Sequence, residues 1–188
     1  MSRPRQFDET SALEGAMVAF WEHGYAGTNL PELLDAMSLT RGSFYKAFHD
    51  KHAVYLRSID HYAETRLNIS LAKMTDPSSG SPHERLVRMF LRTENHPGKP
   101  SPNVGCFVCN AMVEMAPFDP DCAARCTRVS ERLRIAMRSV LQELRPDAPA
   151  DMLDRKSAAL ERLYFGSHAM GRMGGSFQHW SELLSDLI

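Results

Sequence analysis

The side chains best suited to a chemical task are Arg41, Tyr45 and Lys46, which lie close together in the segment TRGSFYKAFHDK. At helical spacing they stay on the polar side of a short helix, while Phe44 and Phe48, four residues apart, form its apolar face. The fork of an arginine binds the edge of a guanine, and lysine or tyrosine binds phosphate. This pattern predicts a surface that contacts duplex DNA.

Two short helices joined by a tight turn are predicted to hold these side chains. The apolar spacing of LPELLDAM indicates a helix of about two turns, for which either Thr28 or Asn29 offers an N-cap oxygen. Thr40 can cap the second helix, and Asp50 can cap a third helix whose first turn carries Lys51. The arrangement is typical of a helix-turn-helix.

The run HGYAGTNLPELLDAMSLTRGSFYKAFHDKHAVYLRSID, with FDETSALEGAMVAFW before it, resembles the DNA-binding head of the tetracycline-repressor-like (TetR/AcrR) family. The resemblance rests on the Gly-Tyr after the first helix, the capped second helix, Gly-Ser-Phe-Tyr in the recognition helix, and Phe-x-x-Lys before the fourth. It implies that Arg41 and Gly42 face bases, and that Thr28, Tyr45, Lys46 and Lys51 contact the sugar-phosphate backbone. The predicted DNA-contacting residues are Thr28, Thr40, Arg41, Gly42, Ser43, Tyr45, Lys46, His49 and Lys51.

The remainder of the chain is predicted to be helical, because Gly and Pro recur at intervals and alternating strand-like runs are missing. We expect an all-α fold of about nine helices, with a DNA-binding domain over residues 1–55 and a ligand-binding and dimerisation domain over 56–188. The predicted helices beyond the helix-turn-helix are 8–23, 51–74, a fifth ending near 95, a sixth beginning near 105 or 106, 121–144, 151–173 and 177–188.

Composition limits how the protein can bind DNA and where it acts. The chain has 22 basic and 23 acidic residues, and residues 1–57 hold six basic against seven acidic ones, so the head is not generically basic. Affinity must then come from a local cluster around residues 41–52 and from dimerisation. Arg3 and Arg5 form either a minor-groove arm or an ordinary charged terminus. We expect a cytoplasmic protein without a signal peptide or membrane span, with reduced cysteines and no cofactor.

The last two predicted helices carry broad apolar stripes with small residues between them. Their members are Leu160, Leu163, Tyr164, Ser167, Met170 and Gly171 in one helix, and Phe177, Trp180, Leu184 and Leu187 in the other. The family resemblance implies that these helices form a four-helix dimer interface, which gives a palindromic operator two reading heads. Packing of both stripes within one chain is the alternative.

Four cysteines occur as two pairs, with Cys106 and Cys109 three residues apart and Cys122 and Cys126 four apart. Three interpretations stand: core packing, sensing of oxidants or electrophiles, and a zinc or copper(I) thiolate site. The tripeptide Gly-Cys-Phe at 105–107 resembles the N-ethylmaleimide-responsive branch of the family, in which the equivalent cysteine responds to electrophiles. We therefore predict that Cys106, near a helix N-terminus, is the most reactive thiol.

Regulation is predicted to lie in the second domain. The candidate ligand or sensor residues are Cys106, Cys109, Phe107, Met112, Met89, Phe90, Phe165 and His168, with Met170 as a further candidate, although such stripes are also typical of an ordinary core. No Ser-His-Asp spacing, phosphate loop or paired-carboxylate motif suggests an enzyme. The sequence indicates a DNA-binding transcriptional regulator, a repressor released by a small molecule or an electrophile. The alternative is a helical protein that binds small molecules or metal and does not act through DNA.

Overall fold

A computed structural model describes residues 7–91, 100–101, 103–174 and 177–188, and the regular elements in these ranges are all helices. This confirms the predicted all-α fold. The helices are α1 (Glu9–Gly27), α2 (Leu30–Ala36), α3 (Arg41–Phe48), α4 (51–75), α5 (Pro82–Leu91), α6 (Phe107–Glu114), α7 (Pro120–Leu144), α8 (Ala150–Arg172) and α9 (Trp180–Leu187). The predicted arm residues Arg3 and Arg5 lie outside the described ranges, as do residues 92–99, where the fifth helix is predicted to end. No helix among the described residues is long and apolar enough to cross a membrane.

Helix α4 is continuous in direction but not uniform in hydrogen bonding. Its α-helical parts, Lys51–Tyr62 and Asn68–Thr75, flank a π-helical turn over Ala63–Leu67. In that turn the Asn68 N–H reaches the carbonyl of Ala63, five residues back. The sequence predicted a plain helix here, because one extra residue in a turn leaves no clear mark on the apolar pattern.

The apolar faces of α1 and α4 form the centre of the head. Ala16, Met17 and Phe20 of α1 are fully buried, and the ring of Phe20 meets Tyr55 of α4 edge to face at 5.1 Å between centroids. Gly15 lets α2 approach α1 closely, since a methyl group in its place would lie 2.0 Å from the carbonyl oxygen of Ala36. The packing fixes α2 and therefore α3 against the longer helices.

Helix α9 packs on α5 of its own chain. Trp180 and Leu184 are buried there, and the ring of Trp180 lies 4.7 Å from that of Phe90. Assigning these two side chains to a stripe for a second subunit was therefore wrong. Leu160 and Tyr164 of α8 are likewise buried within the chain, whereas Met170 is 56% exposed. The predicted stripe of α8 therefore includes both side chains that its own chain buries and a side chain that is exposed.

Candidate nucleic-acid interface

The start of α2 is fixed by a reciprocal cap. The Asn29 side chain accepts a hydrogen bond from the Glu32 N–H at 3.0 Å, and the Glu32 carboxylate accepts one from the Asn29 N–H at 3.3 Å. Thr28 is fully buried, and its hydroxyl donates to the carbonyl of Gly24 at 2.7 Å. Of the two predicted caps, Asn29 is correct. The predicted contact of the Thr28 side chain with DNA is contradicted, because this side chain is buried and its hydroxyl is hydrogen-bonded within the head.

The turn between α2 and α3 is short. Ser38 adopts a positive φ of 53°, and the Leu39 N–H bonds to the carbonyl of Leu34 at 2.9 Å. Thr40 then caps α3 as predicted, since its hydroxyl oxygen accepts from the Ser43 N–H at 3.3 Å. The same hydroxyl donates to the Ser43 oxygen at 3.0 Å. Both hydroxyl groups therefore stand at the positive end of α3.

Helix α3 has one buried and one exposed face. Phe44 and Phe48 are buried in the head, with their rings 6.1 Å apart. On the opposite face Arg41, Gly42 and Lys46 are exposed, and Tyr45 is 45% exposed. The division follows from helical spacing in the sequence and leaves Arg41, Gly42, Tyr45 and Lys46 open to solvent.

Gly42 has no packing partner that requires a glycine. A methyl group built at this position would meet nothing within 4 Å. Glycine in a helix costs about 0.5–1 kcal/mol relative to alanine. A close approach by a groove outside the chain would account for its presence.

The first turn of α4 brings a cation beside α3. Asp50 caps the helix by accepting from the Ala53 N–H at 2.7 Å, as predicted. The Lys51 ammonium lies 4.3 Å from the centre of the Tyr25 ring, and burial lowers the pKa of this lysine. His49 is exposed at the C-cap of α3, with a φ of 69°. Lys51 is therefore held in place beside the turn that ends α3.

The α6–α7 turn contacts the head through two carboxylates that sequence reasoning missed. Glu114, the last residue of α6, accepts hydrogen bonds from the backbone N–H groups of Tyr25 and Ala26. Asp119 hydrogen-bonds to His52 in the first turn of α4 and also caps α7. The only sequence signal was Gly24, whose positive φ turns the chain ahead of these N–H groups.

The predicted sensor cysteine is buried. Cys106 is the N-cap of α6, close to the predicted position, but only 3% of its surface is exposed. The Tyr62 hydroxyl donates to its sulfur at 3.4 Å, which joins α6 to α4. The thiol of Cys109 contacts the carbonyl of Phe165 at 3.5 Å, and burial raises its pKa to about 12. The environment holds Cys109 as a neutral thiol.

The second cysteine pair lies on the first turns of α7. The sulfur atoms of Cys122 and Cys126 are 4.0 Å apart. Their shared hydrogen bond lowers the pKa of Cys122 and raises that of Cys126. Among the described residues, no group of three or more His, Cys, Asp or Glu side chains is placed to hold a metal ion. The two pairs do not form a four-thiolate cage.

Most of the predicted ligand residues are dispersed through the helical core. Phe90, Phe107 and Met89 are buried, His168 lies against Tyr164 with rings 4.6 Å apart, and Met112 and Phe165 pack partly buried against the core. One cleft of about 430 Å³ lies between the end of α1, α6 and α8. It is lined by His23, Gly24, Cys109, Asn110, Val113, Glu114, Ala169 and Arg172. Of the predicted set, Cys109 reaches this cleft.

Comparison with known proteins places the helix-turn-helix in a defined group. Residues 12–57 match the family model described as bacterial regulatory proteins, tetR family. The uncharacterized HTH-type transcriptional regulator YezE of Bacillus subtilis is 28% identical over 162 residues, which are 86% of this chain and 82% of YezE. The HTH-type transcriptional repressor ComR of Escherichia coli is 28% identical over 121 residues, covering 64% of this chain and 57% of ComR.

Solved structures share the whole fold at low sequence identity. A cysteine mutant of the TetR family transcriptional regulator CifR, complexed with 26-bp double-strand operator DNA, matches with a TM-score of 0.78 and 21% identity over 98% of this chain and 97% of that one. The reduced form of Escherichia coli NemR matches with a TM-score of 0.75 and 19% identity over 96% and 95% of the two chains. The arrangement of nine helices in the described residues is therefore a known one.

Proposed function

We propose that this chain is a regulator of the tetR family, whose model its residues 12–57 match, and that it represses transcription by binding a palindromic DNA operator as a homodimer. The observation that carries the proposal is the exposed face of α3. It presents Arg41, Tyr45 and Lys46 outward while Phe44 and Phe48 anchor the helix in the head. A reading helix in the major groove requires this division. Residues 1–55 would be the DNA-binding unit, and residues 56–188 the regulatory unit.

The residues of the interface take different proposed roles. Arg41 and Gly42, on the first turn of α3, would meet base edges, because the helix start enters the groove first. Tyr45, Lys46 and Lys51 would contact phosphate. The remaining proposed contacts, Thr40, Ser43 and His49, stand at the two ends of α3 and would bind the sugar-phosphate backbone.

An exposed stripe on α8 supports the proposed dimer. Its exposed members are small or apolar and follow one another at helical spacing: Ala159, Gly166 and Met170 in the helix, and Met173 directly after its last residue. The half-buried Leu163 lies between them. A methyl group at Gly166 would meet nothing within 4 Å in the same chain. A glycine without an internal reason, next to an exposed Met170, fits close packing against a second helix. The proposed interface therefore uses the outer faces of α8 and α9, not the buried stripe expected from sequence.

We propose that a small molecule bound to the helical core releases the operator. The cleft between α1, α6 and α8 has the volume of a small-ligand site and borders the head at Gly24. An electrophile-sensing role for Cys106 stays a prediction, and its burial means that a reagent reaches the sulfur only after local opening. Such a regulator would act in the cytoplasm, where bacterial DNA lies.

Fluorescence anisotropy with the duplex upstream of the protein's own gene tests the function. We expect specific binding, and we expect Arg41→Ala to lose about 1–3 kcal/mol and to relax selectivity at one operator position. The control is Arg128→Ala, which removes an exposed arginine of α7. Equal loss on operator and random DNA would remove the base-reading role from Arg41. Wild-type protein that does not prefer any segment of this region would refute the proposed function and favour a helical binding protein that does not act through DNA.

A further inference from the structure

We propose that Glu114 is a positioning residue for DNA reading, whose carboxylate sets the angle between the head and the helical core. This inference rests on the proposed function. Its Oε2 accepts from the Tyr25 N–H at 3.0 Å and its Oε1 from the Ala26 N–H at 2.8 Å. One carboxylate at the end of α6 thus holds two successive backbone groups at the end of α1. Charge-assisted bonds of this kind are about twice as strong as neutral ones.

The backbone at Gly24 is shaped to receive this carboxylate. Gly24 has φ 76° and ψ 175°, which turns the chain so that the following two N–H groups face the same acceptor. A methyl group at this position would lie 2.8 Å from Oε2 of Glu114. Only glycine therefore allows both the turn and the close approach of the carboxylate.

The two hydrogen bonds from the Tyr25 and Ala26 N–H groups to Glu114 form a clamp. Its position in the chain explains why it would affect DNA reading. Tyr25 and Ala26 lie four and three residues before Asn29, the cap of α2, so the clamp holds the segment that leads into the helix-turn-helix. Asp119, at the other end of the α6–α7 turn, hydrogen-bonds to His52 at the start of α4. The two ends of this turn are therefore each hydrogen-bonded to the head. A shift of α6 would change the angle of the head and hence the spacing of the two reading helices in a dimer.

The fold itself does not require the clamp. Ala26 is exposed and Tyr25 is half-buried, so water can replace Glu114 as the partner of the Ala26 N–H. Loss of the carboxylate would cost little folding stability but would free the orientation of the head. Glu114 also lines the 430 Å³ cleft, so a ligand bound there would touch the clamp directly.

The test compares Glu114→Gln with Glu131→Gln, an exposed glutamate of α7. Operators with altered half-site spacing are titrated by anisotropy, because spacing selectivity reports head orientation and is insensitive to general weakening. We expect Glu114→Gln to lose about tenfold affinity for the preferred operator and to bind altered spacings nearly equally. Its affinity for random DNA and its unfolding temperature should match those of Glu131→Gln.

Amide hydrogen exchange supplies a readout that does not need DNA. The N–H groups of Tyr25 and Ala26 should exchange slowly in wild type and faster in Glu114→Gln. Faster exchange with unchanged affinity and spacing selectivity would overturn the positioning role. A uniform loss over all spacings together with a lower unfolding temperature would also overturn it, because it indicates structural damage. Wild type that binds no operator would refute the proposed function, while its exchange rates would still show whether the clamp exists.

Discussion

Among single residues, the surroundings of each glycine show whether internal packing or an external partner accounts for it. Gly15 is explained within the chain, because an added methyl group would collide with the Ala36 carbonyl at 2.0 Å. Gly24 is explained by its positive φ and by Glu114. Gly42 and Gly166 have open space around them and no left-handed backbone. The sequence alone cannot make this distinction, because the residue type is the same whether glycine is needed for internal packing, for a positive φ or for an external contact.

Gly42→Ala should therefore separate stability from DNA affinity. Alanine fills open space in a helix, so the free energy of unfolding should stay unchanged or rise by up to about 1 kcal/mol. Operator affinity should fall, since the methyl group would hold the backbone of α3 away from the groove. Thermal unfolding and anisotropy measure the two effects.

Gly15→Ala is the matched comparison. It should destabilise the head, because a backbone carbonyl must move to make room. Unaltered operator affinity in the Gly42→Ala protein would show that the groove does not approach this residue.

At the scale of helices, local signals were predictable and tertiary ones were not. Asn29, Thr40 and Asp50 were recognised as possible caps because capping depends on residues two or three positions away. The burial of Thr28 depends on α1, and the role of Glu114 depends on contact with a segment 88 or more residues earlier in the chain. Such long-range contacts leave no periodic mark in the sequence.

Asp119 makes a pH-dependent contribution at the junction of α7 with the head. Partial burial raises its pKa, but hydrogen bonds from His52 and from the N–H groups of Cys122 and Asp121 outweigh this and lower it. A lowered folded pKa means that the stabilisation is present at neutral pH. It disappears as pH falls through the folded pKa, below the ordinary carboxyl value of about 4.

Asp119→Asn keeps an acceptor for the α7 cap and removes the charge. We expect the variant to unfold with about 0.3–1 kcal/mol less free energy than wild type at pH 7. The deficit should shrink as pH falls below about 4, where the wild-type carboxylate also becomes neutral. Urea titrations across this range measure it. A deficit of the same size in acid would assign the effect to packing and not to charge.

For the whole molecule, the sequence predicted the fold class and the DNA-reading head but wrongly assigned the buried side chains Trp180 and Leu184 to the surface for a second subunit. The head is nearly neutral, so tight operator binding requires two heads and therefore a surface that joins two subunits. The sequence did not reveal which side chains form that surface. Periodicity shows that α8 and α9 have apolar faces but not which face its own chain covers. The structure shows α9 packed on α5 through Trp180 and Leu184, with Met170 of α8 left exposed.

This geometry predicts opposite outcomes for two charged substitutions. Met170→Glu introduces a carboxylate where a single chain is exposed to water, so each chain should stay folded with an unchanged helical circular dichroism spectrum. In the proposed dimer the same carboxylate would be buried without a partner, at a cost of several kcal/mol, and sedimentation velocity should show monomers. Leu184→Glu instead places the charge in the chain's own core and should lower the unfolding temperature sharply.

A Met170→Glu protein that still sediments as a dimer would exclude this part of α8 from the interface. Because both reading heads are required for tight operator binding, folded monomers should also lose the operator while keeping the weak, salt-sensitive affinity of one head for random DNA.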